Sequence, residues 1–303
     1  MVQKGSKVGV ISALTFVVFT VHVVFAGLAG SGASPKLFPE TVGKVSDELK
    51  LFVTPVGATF SIWGVIYFLQ FAWIIYTLTA ICRQGASTSI LSTRFYVFFM
   101  ISTAFITGWL FSWTRKEVLP SFIVVIFHQI FIELAFTISC YDLHDYLNTH
   151  EIDNNNKIDV WCQRILVQNG ILFYLTWTIV ASLLNFAIFL NQELSTSDET
   201  SSLIALIILG VTAIAWFVLE NFAFKAYTEY TFSAYITLIW ALSGVIANVW
   251  DNNRVVSGLT LGLLVTACIL LVLRILLIVL RVRKRASYSN ISYNAESEKV
   301  SGH

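Results

Sequence analysis

Charge is scarce in this 303-residue chain: Asp, Glu, Lys and Arg make up 12% of it, about half the share found in a soluble globular domain. Hydrophobic residues reach 56%, more apolar surface than a water-soluble fold can hide. The formal net charge is +1, which gives no basic footprint for nucleic acid. Proline is rare, and Pro35, Pro39, Pro55 and Pro120 fall outside the long apolar runs or at their starts. Cys82, Cys140, Cys162 and Cys268 lie far apart, with no CxxC or other metal-ligand spacing. They read as buried thiols, the alternative being a pair between Cys140 and Cys162 at opposite ends of one loop. No GxSxG, HExxH, P-loop, dinucleotide or kinase signature is present, so neither an enzyme nor a cofactor is called for. A seven-helix receptor is disfavoured by the lack of an Asp/Glu-Arg-Tyr closing a third helix and of an Asn-Pro-x-x-Tyr in a last one.

What is present is a succession of long apolar runs. Crossing a hydrocarbon core about 30 Å thick takes about 20 helical residues. Eight stretches qualify, over approximately 8–29, 56–81, 93–113, 119–140, 165–190, 203–223, 230–250 and 256–278. They are too long and uninterrupted for barrel strands, and backbone groups in lipid must be satisfied internally, so each reads as a helix. The fold class is therefore all-α, a polytopic membrane helix bundle of about eight transmembrane helices. Connections 114–118 and 224–229 are short enough to make their neighbours antiparallel, whereas 30–55 and 141–164 are long. The stretch from Asp142 to Asp159, with the run Asn154-Asn155-Asn156, is polar enough for a solvated loop.

Orientation follows from Lys and Arg. Twelve fall on the side holding both termini, among them Lys4, Lys7, Arg83, Lys225 and the cluster Arg281 to Arg285; six fall on the other, at Lys36, Lys44, Lys50, Arg115, Lys116 and Arg254. Both termini are therefore expected in the cytoplasm. The basic cluster stops the last helix at the membrane surface and is placed to meet anionic lipid. Lys4 and Lys7 before an apolar run also describe a signal peptide, but the run from Val8 to Ala29 exceeds a usual signal core, so the first helix is read as retained. A sequon, Asn290-Ile-Ser, matters only if the tail faces a secretory lumen.

Polar groups inside spans are costly and normally face a cavity or a partner helix. His128, Gln129 and Glu133 in the fourth span are the clearest case: Gln129 and Glu133 are spaced i, i+4 and share a face, either lining a polar path or bonded to a neighbouring helix. Glu220 and Arg274, near span ends, read as snorkelling side chains. Gly258 and Gly262 form a GxxxG, a spacing that lets helices approach closely and the one feature pointing to a homo-oligomer, although chance often produces it.

The second, third and fifth spans carry a more specific pattern. In Pro55-Val-Gly-Ala-Thr-Phe60-Ser-Ile-Trp63-Gly-Val-Ile-Tyr67, the three aromatic residues fall on one face at i, i+3 and i+7. The third span ends Gly108-Trp109-Leu-Phe-Ser-Trp113, and the fifth contains Trp177-Thr-Ile-Val-Ala181-Ser-Leu-Leu-Asn185, with Trp177, Ala181 and Asn185 along one stripe. Singly, each aromatic reads as packing or as an interface anchor. Together they resemble the translocator protein family, also called tryptophan-rich sensory proteins. That family has a Pro followed eight residues later by Trp-x-x-x-Tyr in its second helix, a Trp-bearing third helix, and Trp-x-x-x-Ala-x-x-Leu-Asn in its fifth. Ile106 departs from the pattern, standing where members usually carry an Asn three residues before the third-helix Trp.

On this resemblance the chain divides into a five-helix translocator-protein-like core over 1–190, three additional transmembrane helices over 191–280, and a basic then polar tail over 281–303. The resemblance implies a cavity in the core for a porphyrin-like, sterol-like or other flat apolar ligand, contacted by Phe60, Trp63, Tyr67, Trp109, Trp177 and Asn185. The expected function is an integral membrane binding or sensory protein, non-enzymatic, with membrane lipid as its other partner. The rival from another class is a secondary transporter or channel whose polar path runs through His128, Gln129 and Glu133.

Overall fold

The computed structural model describes residues 2–79, 90–153 and 156–301, with side chains for those from 8 to 284. Cys82, Arg83, Asn154 and Asn155, and the side chains of Lys4, Lys7, Arg285, Asn290 and Lys299, lie outside the described set. Among the described residues all regular structure is helical: α1 (Val2–Ser31), α2 (Val42–Glu48), α3 (Ile62–Thr79), α4 (Thr93–Trp113), α5 (Val118–Thr149), α6 (Lys157–Cys162), α7 (Asn169–Gln192), α8 (Asp198–Val218), α9 (Ser233–Val249) and α10 (Arg254–Ser301). A 3-10 turn, Gly57–Ser61, leads into α3; π turns at Gln163–Gln168 and Leu219–Ala223 lead into α7 and close α8.

Among the described residues, seven helices are long and apolar enough to cross a membrane. The eighth expected span is α9, which has 17 residues and so rises about 25 Å, just short of a typical hydrocarbon core. Its two ends nevertheless bond to opposite ends of the bundle. At its start, the backbone N–H groups of Phe232 and Ser233 donate to Asn169 Oδ1 at the head of α7, at 2.9 and 3.1 Å. Near its far end, Asn248 donates to the carbonyl of Leu51, ahead of α3, at 3.3 Å. The polar stretch read as a solvated loop is largely helical instead, because α5 runs on to Thr149 and Lys157–Cys162 forms α6. The tail likewise continues α10 as far as Ser301.

The first five long helices close a ring in which α1 packs on α4, α4 on α5, α5 on α7, α7 on α3 and α3 on α1. Each can present one apolar face to the interior and another to lipid, so the composition needs no polar face. The connection 32–50 folds over one end of the ring. Phe38 packs there with Ala29 and Leu110, Trp113 Nε1 donates to Val42 O at 3.2 Å, and Lys116 pairs with Glu48. α8 and α9 pack on the outer side of α7, and α10 packs on both. Thr41 and Ser197 cap α2 and α8 by accepting from Lys44 N and Thr200 N, each at 3.2 Å. Asp198, in the first turn of α8, also accepts from Phe52 N at 2.9 Å. The connection after α2 is thereby fastened to the later helices.

Cys140 is buried, Cys162 is half-buried and Cys268 is exposed, and no bridge joins Cys140 to Cys162. The uniform buried-thiol reading is thus corrected for two of the three described thiols, Cys162 and Cys268. Gly258 and Gly262 meet nothing within 4 Å of an added Cβ, so the GxxxG brings no neighbour close within the chain.

Candidate functional site

The aromatic motif lies where the ring of helices is crossed by side chains. The 3-10 turn and α3 carry Phe60, Trp63 and Tyr67 inward. Trp63 meets Tyr67 at 5.7 Å between centroids and, from α7, Tyr174 at 6.1 Å and Trp177 at 6.3 Å. Phe60 meets Trp177 edge-on at 5.9 Å. Tyr67 meets Phe19 and His22 of α1 at 6.1 and 5.8 Å. Such edge-to-face pairs contribute about 0.5–1.5 kcal/mol each beyond the area they bury.

Trp109 of α4 reaches across to α7 and donates its indole N–H to Asn185 Oδ1 at 3.2 Å. The same amide donates back along its helix to Ala181 O at 2.8 Å, which uses the Ala181–Asn185 spacing of the motif. Phe60, Trp63, Tyr67 and Trp177 therefore form one cluster by direct ring contacts, and Trp109 and Asn185 form a bonded pair two turns further along α7. Trp177 and Asn185 are buried, whereas Phe60, Trp63, Tyr67 and Trp109 are half-buried while reaching inward. Ile106, at the position of the departure, is buried in the packing.

The cluster is unusual in its polar atoms. His22 Nε2, His128 Nε2, Tyr174 Oη and Trp177 Nε1 are all buried without a hydrogen-bond partner among the described residues. Their other groups are anchored: His22 Nδ1 bonds Thr107 Oγ1 at 2.9 Å, and His128 Nδ1 lies 3.1 Å from Ser102 Oγ. His128 also meets Tyr174, the rings tilted by 47° with centroids 5.3 Å apart. A buried polar group left unpaired costs about 1–3 kcal/mol, so four in one cluster is an expensive arrangement. Periodicity could not single out His22 and Tyr174 as members, because each is one of several polar residues in its span; only the ring closure brings them to Tyr67 and Trp63.

The expected polar path divides. His128 faces α4 and the interior of the ring, while Gln129 turns to α7 and accepts from Thr178 Oγ1 at 2.9 Å. Glu133 is exposed and lines a cavity of about 330 Å³ bounded by α5, α7, α8 and the start of α9. None of the six motif residues lines that cavity.

Glu220 and Arg274 are a correction to the sequence reading. Both are fully buried, with Arg274 Nε 3.3 Å from Glu220 Oε2. Arg274 donates to the carbonyls of Thr231, at 2.8 Å, and Thr228, and to Asn221 Oδ1 at 2.7 Å. Glu220 accepts from Thr231 Oγ1 at 2.5 Å and from Tyr235 Oη at 2.7 Å. The π turn at Leu219–Ala223 sets Glu220 and Asn221 inside rather than at the water interface. Snorkelling fails because each charge finds its partner within the bundle.

The later helices also hold the motif turn. Trp240 Nε1 of α9 donates to Thr59 O at 2.9 Å, and Val56 N donates to Gly244 O at 3.1 Å. An added Cβ at Gly244 would stand 2.1 Å from Thr59 Oγ1, so only glycine permits this approach.

Compared with known proteins, residues 11–280 match a family model described as TSPO-like protein. The match extends through α8, α9 and most of α10, in keeping with the bonds that join them to the motif turn. No curated protein and no solved structure matches the chain.

Proposed function

Because the chain belongs to the TSPO-like protein family, we propose that it is a membrane-embedded binding or sensory protein for a flat apolar ligand of porphyrin-like or sterol-like shape. The ligand sits inside the ring of α1, α3, α4, α5 and α7. Phe60, Trp63, Tyr67 and Trp109 offer it their half-buried ring faces, Trp177 closes the far wall, and Asn185 holds Trp109 in place. The observation that carries this reading is the set of four buried, unpaired polar atoms, on His22, Tyr174 and Trp177, which meet Trp63 or Tyr67 directly, and on His128, which meets Tyr174. Unpaired donors and acceptors between flat apolar walls suit a ligand with an aromatic or alicyclic body and a few polar atoms. No residue set here supplies a nucleophile with its base, so the reading is of binding without turnover.

The test is tryptophan fluorescence of the purified chain in lipid nanodiscs, titrated with protoporphyrin IX, with cholesterol and with a phosphatidylcholine control. Saturable quenching by protoporphyrin IX or cholesterol, and not by the control, is expected. Quenching that rises linearly with every additive would withdraw the assignment.

A further inference from the structure

The cavity of about 330 Å³ lies on the opposite side of α7 from the motif cluster. Its volume falls at the lower end of small-molecule sites. α5 and α8 both pack on α7 but scarcely on each other, so a cleft opens between them toward lipid. Phe136 and Trp216 bridge the cleft at 5.9 Å, and Tyr141 and Tyr227 do so at 4.8 Å. Access from the membrane therefore needs only aromatic side chains to turn.

Charge decides what this cavity takes. Glu133, Thr137 and Tyr141 stand on successive turns of α5 along the opening. Over the apolar part of α5, from Leu119 to Cys140, Glu133 is 14 residues from one end and 7 from the other, about 21 and 10 Å by the rise of a helix. It thus stands inside the hydrocarbon, where a carboxylate is costly without a partner, and it has no hydrogen bond or ion pair among the described residues. The charged groups buried behind the cavity are spent. Tyr235 lines it, but the Tyr235 hydroxyl is donated to Glu220, which is bound to Arg274, and both of those are fully buried. An anion would find no cation among the lining residues themselves, the nearest being Lys225, in the connection beside Phe224, and His144, which packs on Tyr227 at 4.4 Å at the mouth. An ammonium group would meet an unspent carboxylate in a medium that strengthens the contact.

We propose that this cleft is a second ligand site, selective for membrane-soluble amines, with the apolar chain between α7, α8 and α9 and the ammonium group against Glu133. It is independent of the ligand reading for the motif cluster and stands or falls separately.

The probe is radiolabelled dodecylamine, compared with dodecanol, on the full chain in phosphatidylcholine nanodiscs, with binding to protein-free nanodiscs subtracted. Dodecylamine is expected to bind saturably, about tenfold or more tighter than dodecanol, as for one charge-assisted contact. Glu133→Gln should remove that preference while the protein elutes as a single species. Thr212→Phe, which fills the cleft from α8, should abolish saturable binding, and Trp63→Phe should leave it unchanged. Equal affinity for the amine and the alcohol would overturn the proposal. So would full amine affinity in Glu133→Gln or in Thr212→Phe, or loss of it in Trp63→Phe, which would move the amine into the ring.

Discussion

Trp109 on α4 and Asn185 on α7 are tied across the ring by an indole-to-amide hydrogen bond of 3.2 Å. Two positions that look like separate motif elements in the sequence form one strut, and the amide is also held to Ala181 O within its own helix. Replacing Asn185 by Leu leaves the Trp109 N–H without its acceptor at similar side-chain size. The expected cost is about 1–3 kcal/mol of stability. Combined with Trp109→Phe the loss should be less than additive, because both changes remove the same bond. Thermal unfolding of the two single variants and the double variant in detergent measures this; strictly additive losses would deny the strut.

The Glu220–Arg274 pair yields a larger effect. Arg274→Met strands a fully buried carboxylate together with Asn221 Oδ1 and the Thr228 and Thr231 carbonyls. The expected destabilisation is about 3–5 kcal/mol, and Glu220→Leu added to it should recover part of the loss because no uncompensated charge remains. Size-exclusion profiles after graded heating report both steps. An Arg274→Met protein as heat-resistant as the parent would place the charge at the interface after all.

Gly244→Ala tests whether the later helices support the motif turn. Its Cβ would collide with Thr59, the residue before Phe60, and the expected loss is about 1–3 kcal/mol from overpacking. Thr59→Gly in the same chain should restore part of it. Unchanged melting of Gly244→Ala would mean that α9 does not press on the turn.

Both termini are expected in the cytoplasm, from the twelve-to-six division of Lys and Arg. A C-terminal tag should resist protease added outside intact cells or sealed organelles. Digestion of the tag there would reverse the topology.

The positions of the spans were legible because hydropathy alone dictates them, and the motif cluster because Phe60, Trp63 and Tyr67 repeat on one helical face. The Glu220–Arg274 pair was not. Its partners stand 54 residues apart, on helices whose neighbourhood no periodicity encodes, and Glu220 turns inward through a π turn. The extension of α5 past Asp142 was hidden by its polar composition, which marks departure from lipid rather than the end of a helix. Glu133 was singled out as a polar residue in a span, but the cleft beside it arises from α5 and α8 sharing α7 as a neighbour. His22 and Tyr174 gained their meaning only once the ring closed.

Whether the motif cluster holds a ligand is decided by the affinity of Trp63→Phe for protoporphyrin IX. Trp63 is the ring that touches Tyr67, Tyr174 and Trp177 at once, and Phe keeps its apolar character while removing the indole. The variant is expected to insert and elute as a single species but to bind protoporphyrin IX about tenfold more weakly, on the order of 1.4 kcal/mol, with dodecylamine binding intact. A well-folded Trp63→Phe protein that binds protoporphyrin IX at the affinity of the parent would contradict it, leaving the aromatic cluster as packing alone.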